Sequence, residues 1–388
     1  MRHQRPEGLC CAIEASSVSL PILSPLAGRF VRPLDANTIL VHGKDQPIGD
    51  AFLQAEFFHA LRCRFPKAKI TFATSIGGTP YADSMRAVMA PYIDEVLTEQ
   101  ALCLSRSQVW RPASRPMNGR RFDLILDMEK VWWRCLAIRR VRHRVYISAS
   151  NHFLLSGRWP RSWRKPAHLS RQYNMLLDAT GMPVRASLPA PSFRDAEADQ
   201  RAAELLPGGR TYIGLVPGAG DRDKCWPLDR FMALARSCLA EGHAPVLLLG
   251  PKEADWLDVV RRECPEALLP AWHGNEMRPE FRSPLQTVAL GGRLTAAVTN
   301  DCGMAHLLAA AATPLVALFG ATNPVKYAPL TPRVTILSAR DYGSDAPEAI
   351  PYDAVQAALA AMVASAPLPH QRRGRCADGY SAASARVG

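Results

Sequence analysis

The sequence contains ten cysteines but no C-x-x-C pair, and apart from the adjacent Cys10 and Cys11 they are scattered. A zinc site or a disulfide framework needs closely spaced ligands, so neither has support and the thiols are expected to be free. A secretory signal is missing too: the early apolar run Leu9 to Ile13 is stopped by Glu14, which is too short for an exported precursor. A cytoplasmic protein is the expectation. Long hydrophobic runs are equally scarce. The one uncharged stretch of spanning length, twenty-four positions between Asp301 and Lys326, carries His306, is broken by Pro314 and closes on Gly-Ala-Thr-Asn. It reads as a buried helix followed by a buried parallel strand, not as a membrane span.

What is present suits a globular chain: 388 residues, 48% apolar, enough for two domains with ample cores. The net charge of +12 is concentrated between Cys103 and Gln172, where sixteen Lys and Arg face only Asp123, Asp127 and Glu129. Five of the eight tryptophans (Trp110, Trp132, Trp133, Trp159, Trp163) lie in the same stretch. Arg beside Trp suits an anionic membrane surface or an anionic glycolipid head group. Nucleic acid accepts the same chemistry, and a solvated basic surface without a partner remains open.

Along the chain the pattern is α/β. Residues 1–36 show no periodicity and read as an irregular leader. A first Rossmann-like domain is predicted over 37–182, opening with the strand Thr38 to His42, a helix from Ala51 to Phe65 and a strand from Lys69 to Ala73. Further strands are predicted at Tyr92 to Leu97, Phe122 to Leu126 and Arg144 to Ile147, with a closing helix over His168 to Gly181. The stretch 183–207, with Pro183, Pro189 and Pro191, reads as a linker. A second Rossmann-like domain over 208–366 restarts at Thr211 to Val216 and ends in a helix from Tyr352 to Ala364. Residues 367–388, rich in Arg, Gly, Ser and Ala, read as a disordered basic tail.

The richest segment runs from Leu294 to Pro324: a strand (Ala296 to Thr299), the turn Asn300-Asp301-Cys302-Gly303, an Ala/Leu-rich helix, then a strand (Leu315 to Phe319). Asp301 is placed to cap the helix, Gly303 to let a ligand approach, and the helix start to offer N–H donors to a diphosphate. His306 faces the same mouth. In the first half, Asp50 follows Gly49 at the carboxyl end of the first strand, where doubly wound sheets hold ligands. Pro217-Gly218-Ala219-Gly220 and Lys224-Cys225-Trp226-Pro227 follow the second domain's first strand, and Gly250-Pro251-Lys252-Glu253 its second.

Taken together, G-D, P-G-A-G, K-x-W-P, G-P-K-E, N-D-C-G-M-A-H and L-F-G-A-T-N-P resemble glycosyltransferase family 9, the ADP-heptose:lipopolysaccharide heptosyltransferases of two-Rossmann GT-B fold. The likeness spans roughly Thr38 to Ala364. It implies Asp50 as catalytic base and Lys44 near the donor or acceptor. It further implies Lys224 on the diphosphate, Glu253 on the ribose, and Asp301, Cys302, Gly303 and His306 on sugar and phosphate. The chain departs from the pattern at Cys302, where Ser or Thr is usual, and at Gln46-Pro47 before G-D.

The reaction implied is inverting transfer of a heptose-like sugar from a nucleotide diphosphate, ADP-heptose, to a lipopolysaccharide core or related glycan. No cofactor is expected. No metal is expected either, since Lys224 supplies positive charge and Asp221-Arg222-Asp223 is a pattern frequent by chance. The partners expected are the nucleotide sugar, a lipopolysaccharide-type glycolipid and, through 103–172, an anionic membrane at the cytoplasmic face of the inner membrane; nucleic acid is not expected. The alternatives are a nucleotide-sugar epimerase of the same architecture and a basic nucleic-acid-binding protein.

Overall fold

Short β-branched and apolar runs bounded by Gly, Pro and Asp become strands, and the longer amphipathic stretches between them become helices. The computed structural model describes residues 33–102, 105–106, 116–161 and 164–365. The leader to residue 32, the basic tail, Trp110 and Trp163 therefore lie outside the described residues.

The first half comprises β1 (Thr38–Gly43), α1 (Ile48–Arg64), β2 (Lys69–Thr74), α2 (Arg86–Met89), β3 (Glu95–Leu97), β4 (Arg121–Asp127), α3 (Trp132–Ile138), β5 (Arg142–Ser148) and α4 (Leu169–Asp178). Its five strands form one parallel sheet in the order β3-β2-β1-β4-β5. The strand predicted from Tyr92 shrinks to Glu95–Leu97, because the Asp94 carboxylate instead accepts from the Ile70 amide (2.6 Å) and the Arg62 guanidinium (2.6 Å).

The second half comprises α5 (Ala196–Leu205), β6 (Tyr212–Val216), α6 (Leu228–Ala240), β7 (Ala244–Leu247), α7 (Leu257–Glu263), β8 (Trp272–His273), β9 (Glu276–Met277) and α8 (Pro284–Gly291). It continues with β10 (Ala296–Asn300), α9 (Gly303–Ala310), β11 (Leu315–Phe319), α10 (Pro324–Tyr327), β12 (Val334–Ser338) and α11 (Tyr352–Ala364). A second parallel sheet runs β12-β11-β10-β6-β7, while β8 and β9 pair apart from it. Among the described residues no helix is long and apolar enough to cross a membrane.

Contacts cross two of the expected boundaries. Leu34 and Ala36, assigned to the leader, are buried, and the Leu34 amide donates to the Thr180 carbonyl (3.1 Å). The proline-rich linker is strapped to the first half: Arg185 and Ala186 donate to the Cys63 carbonyl, the Tyr92 hydroxyl donates to the Pro189 carbonyl (2.7 Å), and Phe193 packs on Phe52 with centroids 4.5 Å apart. The two halves also share core. Val288 and Leu307 of the second half are buried in the same cluster as Phe52, Phe58 and Leu176 of the first.

In each sheet the chain builds outward from a central strand and then returns to its other side, which opens a crevice at the carboxyl ends of the two strands where the order reverses. In the first sheet these strands are β1 and β4, and in the second β10 and β6. The residues after β1, β4, β6 and β10 are thereby the ones the topology sets aside for a ligand.

Candidate active site

The wall supplied by the second half is built on Asn300, the last residue of β10. Its side-chain amide donates to the Pro217 carbonyl (2.7 Å) and its carbonyl oxygen accepts the Trp226 amide (3.0 Å), so one buried side chain fixes both ends of the loop after β6. Trp226 anchors that loop from below, fully buried against Phe231 and donating from Nε1 to the Ile350 carbonyl (2.9 Å). Lys224 is thus held on a short, exposed turn directly before a rigid anchor. Gly218 lies flat on Glu253: a Cβ there would come within 2.5 Å of the Glu253 carboxyl carbon. Glu253 is buried, accepts the Gly250 amide (2.9 Å), and is raised above the usual carboxylate range by burial, against the pull of that amide and of Arg222.

Asp301 follows β10 at once. Burial pushes its carboxyl up, while the Thr322 hydroxyl and the charge of Lys224 draw it down. It does not cap α9 as its position suggested. Cys302 holds the N-cap position and no side chain caps the helix, because the carboxylate turns toward Thr322 on the loop after β11. The Cys302 thiol lies 3.6 Å from the Thr299 hydroxyl and against the amides of Met304 and Ala305; burial raises it above the ordinary thiol range.

Gly303 also serves the packing of the two halves. The atoms nearest a Cβ at Gly303 are Ile48 Cγ2 (3.2 Å) and the Gly49 nitrogen (3.6 Å), and a Cβ on Gly49 would meet Gly303 Cα (3.1 Å) and His306 Cδ2 (3.2 Å). The missing side chains admit the first half of the protein, so that the amino ends of α1 and α9 abut. His306 is enclosed at this junction, and burial lowers it to about 4, with the neighbouring His168 contributing. His168 itself bridges the halves through Nε2 and the Ala328 carbonyl (3.0 Å).

Asp50, in the first turn of α1, follows Gly49 directly in sequence. Its carboxyl is raised by burial, drawn down by Lys130 and raised again by Asp45. Beneath it, Gln54 donates to the Tyr173 hydroxyl (3.3 Å) and accepts from Gln46 (2.6 Å), which also accepts from Thr79. The unusual Gln46 therefore belongs to the support of the α1 amino end, and Pro47 is its N-cap residue. Lys44 shares the loop but pairs with its neighbour Asp45 (3.4 Å), both side chains about half exposed.

The structure thus brings Asp50, Gly303 and His306 to one junction, with Asp301 and Lys224 electrostatically coupled on the adjoining wall. Glu253 sits deeper behind Gly218, and Lys44 stands at the rim. Two residues escaped the sequence reading. Asn300 differs in nothing from an ordinary strand-end residue until β6 is seen beside β10. Lys130 looked like one more cation in a basic stretch, yet it follows β4 at the crevice opposite Asp50. Among the described residues no three of His, Cys, Asp or Glu gather to hold a metal.

Two doubly wound parallel sheets in one chain form the two-domain GT-B architecture of glycosyltransferases. The pattern of glycosyltransferase family 9 (heptosyltransferase) matches residues 110–349, more than half the chain, and the protein belongs to that family. The chain is similar to lipopolysaccharide heptosyltransferase 3 of Escherichia coli, 24% identical over 306 residues that cover 76% of this chain and 87% of that one. Among solved structures it resembles a family 9 glycosyl transferase from Veillonella parvula (TM-score 0.62, 20% identity, 85% and 98% coverage). It also resembles Escherichia coli ADP-heptose lps heptosyltransferase II (TM-score 0.56, 18% identity, 84% and 98% coverage).

Proposed function

We propose that this protein is an inverting, metal-independent heptosyltransferase that moves a heptose-like sugar from ADP-heptose to a hydroxyl of a lipopolysaccharide core. Asp50 takes the proton of the acceptor hydroxyl. The oxygen forms a bond to the anomeric carbon from the face opposite the departing phosphate, and the carbon–oxygen bond to the diphosphate breaks with its electron pair leaving on ADP. Lys224 and the amino end of α9 take up the charge that develops on the leaving group, the electrostatic contribution that preorganised donors and cations make to such a step. A carboxyl raised toward neutrality is a stronger base than an exposed one and suits proton abstraction.

The observation that supports this reading is the Gly49–Gly303 contact, which brings the residue before Asp50 against the amino end of α9. The exposed Trp132, Leu154 and Trp159, within the basic stretch 103–172, support peripheral contact with an anionic membrane carrying the acceptor. The test is incubation of purified protein, with and without EDTA, with ADP-heptose and lipopolysaccharide from a strain lacking core heptose. Gain of one heptose mass on the acceptor with stoichiometric ADP, insensitive to EDTA and lost in Asp50→Ala, is expected. Donor consumption without a heptosylated product would overturn the reading.

A further inference from the structure

The amino end of the first sheet carries a hollow that the transfer chemistry does not use. It measures about 840 Å³, counting its open mouth, and is lined by Arg121, Arg139, Arg140, Val141, Arg142 and His143. Arg121 opens β4 and Arg142 opens β5. The two are register partners in the parallel ladder, so their side chains leave the same face of the sheet from strands ~4.8 Å apart. Asp127, at the crevice end of β4, lies about 20 Å from Arg121 at ~3.3 Å per residue. The exposed Trp132 opens α3 at the crevice end too, whereas Arg139 follows the last residue of that helix.

The turn that presents the cluster is fixed. Val141 is buried beneath it, the amides of Arg140 and Val141 donate to the carbonyls of Ala137 (3.2 Å) and Ile138 (2.9 Å), and His143 donates from Nδ1 to the Val141 carbonyl (2.7 Å). The nearby carboxylates are already committed. Glu95 binds Arg120 through both oxygens (3.0 and 2.7 Å) and faces Lys69 (3.5 Å). Asp123, one pleat along from Arg121, accepts the amides of Asn37 (2.8 Å) and Thr38 (3.1 Å) and lies 3.9 Å from Arg144. Among the described residues Arg121, Arg139 and Arg142, all exposed, form no ion pair, while Arg140 has a partner of its own.

We propose that Arg121, Arg139 and Arg142 form a second anion site, remote from the transfer centre, for a soluble ligand that carries adjacent phosphates. Guanidinium groups are planar forks that grip phosphate oxygens bidentately and shed water more readily than ammonium groups, so several of them around one hollow suit a compact polyphosphate. A bilayer offers a flat surface and favours interfacial aromatics, and the exposed Trp132 stands at the other end of α3. The site stands whether or not the transferase reading holds, because none of its residues belongs to the crevice.

The probe is inorganic tripolyphosphate, titrated calorimetrically into the full chain with ADP in excess to occupy the donor loops. Binding is expected, and Lys224→Ala should leave it unchanged. Arg121→Gln and Arg142→Gln are each expected to weaken it about tenfold or more, the loss expected for one charged hydrogen-bonding partner. Arg121→Lys and Arg142→Lys should recover only part of the affinity, since they keep the charge but not the fork. Urea unfolding without the probe should be the same in all variants, because these side chains are exposed, and so reports an intact fold. No binding by wild type overturns the site, as does binding that the Gln variants leave unchanged. Full affinity in the Lys variants overturns it too, since a diffuse basic surface reads charge alone. Vesicles of equal parts phosphatidylcholine and phosphatidylglycerol, and duplex DNA, are titrated in parallel. If the Gln variants lose affinity for either of these more than for tripolyphosphate, the arginines serve a membrane or nucleic-acid face and the polyphosphate site falls.

Discussion

Gly49→Ala tests the junction on which the site depends. The new methyl would lie 3.1 Å from Gly303 Cα and 3.2 Å from His306 Cδ2, closer than ordinary van der Waals contact, so α1 and α9 must separate by a few tenths of an ångström. Two effects on stability oppose each other. Overpacking costs about 1–3 kcal/mol, whereas Ala in place of Gly in the first turn of a helix returns about 1 kcal/mol through propensity and a less disordered unfolded chain. The net loss of stability is therefore about 0–2 kcal/mol, too small to unfold the protein. The rate has no such offset. Asp50 is the next residue, and a misplacement of 1 Å between reacting groups costs about a hundredfold, so a shift of a few tenths is expected to lower kcat severalfold to about tenfold. ADP affinity should change little, because Lys224, Glu253 and Asp301 all lie in the second half. The assay is steady-state transfer alongside ADP calorimetry and urea unfolding. Gly303→Ala should behave alike and be relieved by Ile48→Ala, which removes the Cγ2 that the new methyl meets at 3.2 Å. Unchanged kcat in Gly49→Ala, with the fold intact, would refute the placement of Asp50 at the mouth of α9.

Asp50 must be ionised to act as a base, and burial raises its carboxyl, so kcat/KM should fall as pH drops through a value above the usual carboxylate range; Lys130→Ala, by removing the charge that draws it down, should move that acid limb to higher pH. A limb that stays put or moves down in Lys130→Ala, read from the pH–rate profile, contradicts the coupling. Asn300→Ala strands the Trp226 amide and the Pro217 carbonyl, at about 1–3 kcal/mol for a buried group left unpaired, and should weaken ADP binding as the loop carrying Lys224 loosens; calorimetry and urea unfolding read both. The raised Cys302 thiol should react slowly with alkylating reagents at neutral pH and faster as pH rises, and ADP should protect it; mass spectrometry of labelling that ADP leaves unchanged would place the thiol away from the phosphates.

The strand-helix-strand unit from Ala296 to Phe319 was legible because each apolar run is short and its ends are punctuated, by Asn300 to Gly303 and by Pro314. α3 was hidden in a stretch whose arginines and tryptophans suggested only a surface. β12 was hidden because only Ser338 of its five residues is buried, as befits an edge strand. Within the candidate site, the loops after β1, β6 and β10 that carry Asp50, Lys224 and Asp301 are marked in the sequence by their Gly, Pro and Asp punctuation. What no sequence could supply was which strands lie side by side. Lys130 gained its place from the pairing of β1 with β4, and Asn300 from the pairing of β10 with β6. The same holds for Asp301, whose expected cap on α9 gives way to a hydroxyl partner beyond the next strand, and for Gly303, whose closest neighbour is α1.

The charges at this junction explain why two glycines meet there at all. The amino ends of α1 and α9 each present about half a positive charge, and with Lys130 and Lys224 the protein sets four positive centres around one small region. Asp50, Glu129 and Asp301 oppose them, and burial draws Asp50 and Asp301 toward their neutral forms. A junction of this kind gains nothing in stability from its own electrostatics; hydrophobic contact of α1 and α9, through Ile48, Met304 and Leu307, must hold it together. A side chain at Gly49 or Gly303 would ease the crowding of like dipole ends by pushing the helices apart. On the proposed transferase reading it would also move the Asp50 carboxylate away from the carbon under attack, and the diphosphate of the donor would complete the charge balance during turnover.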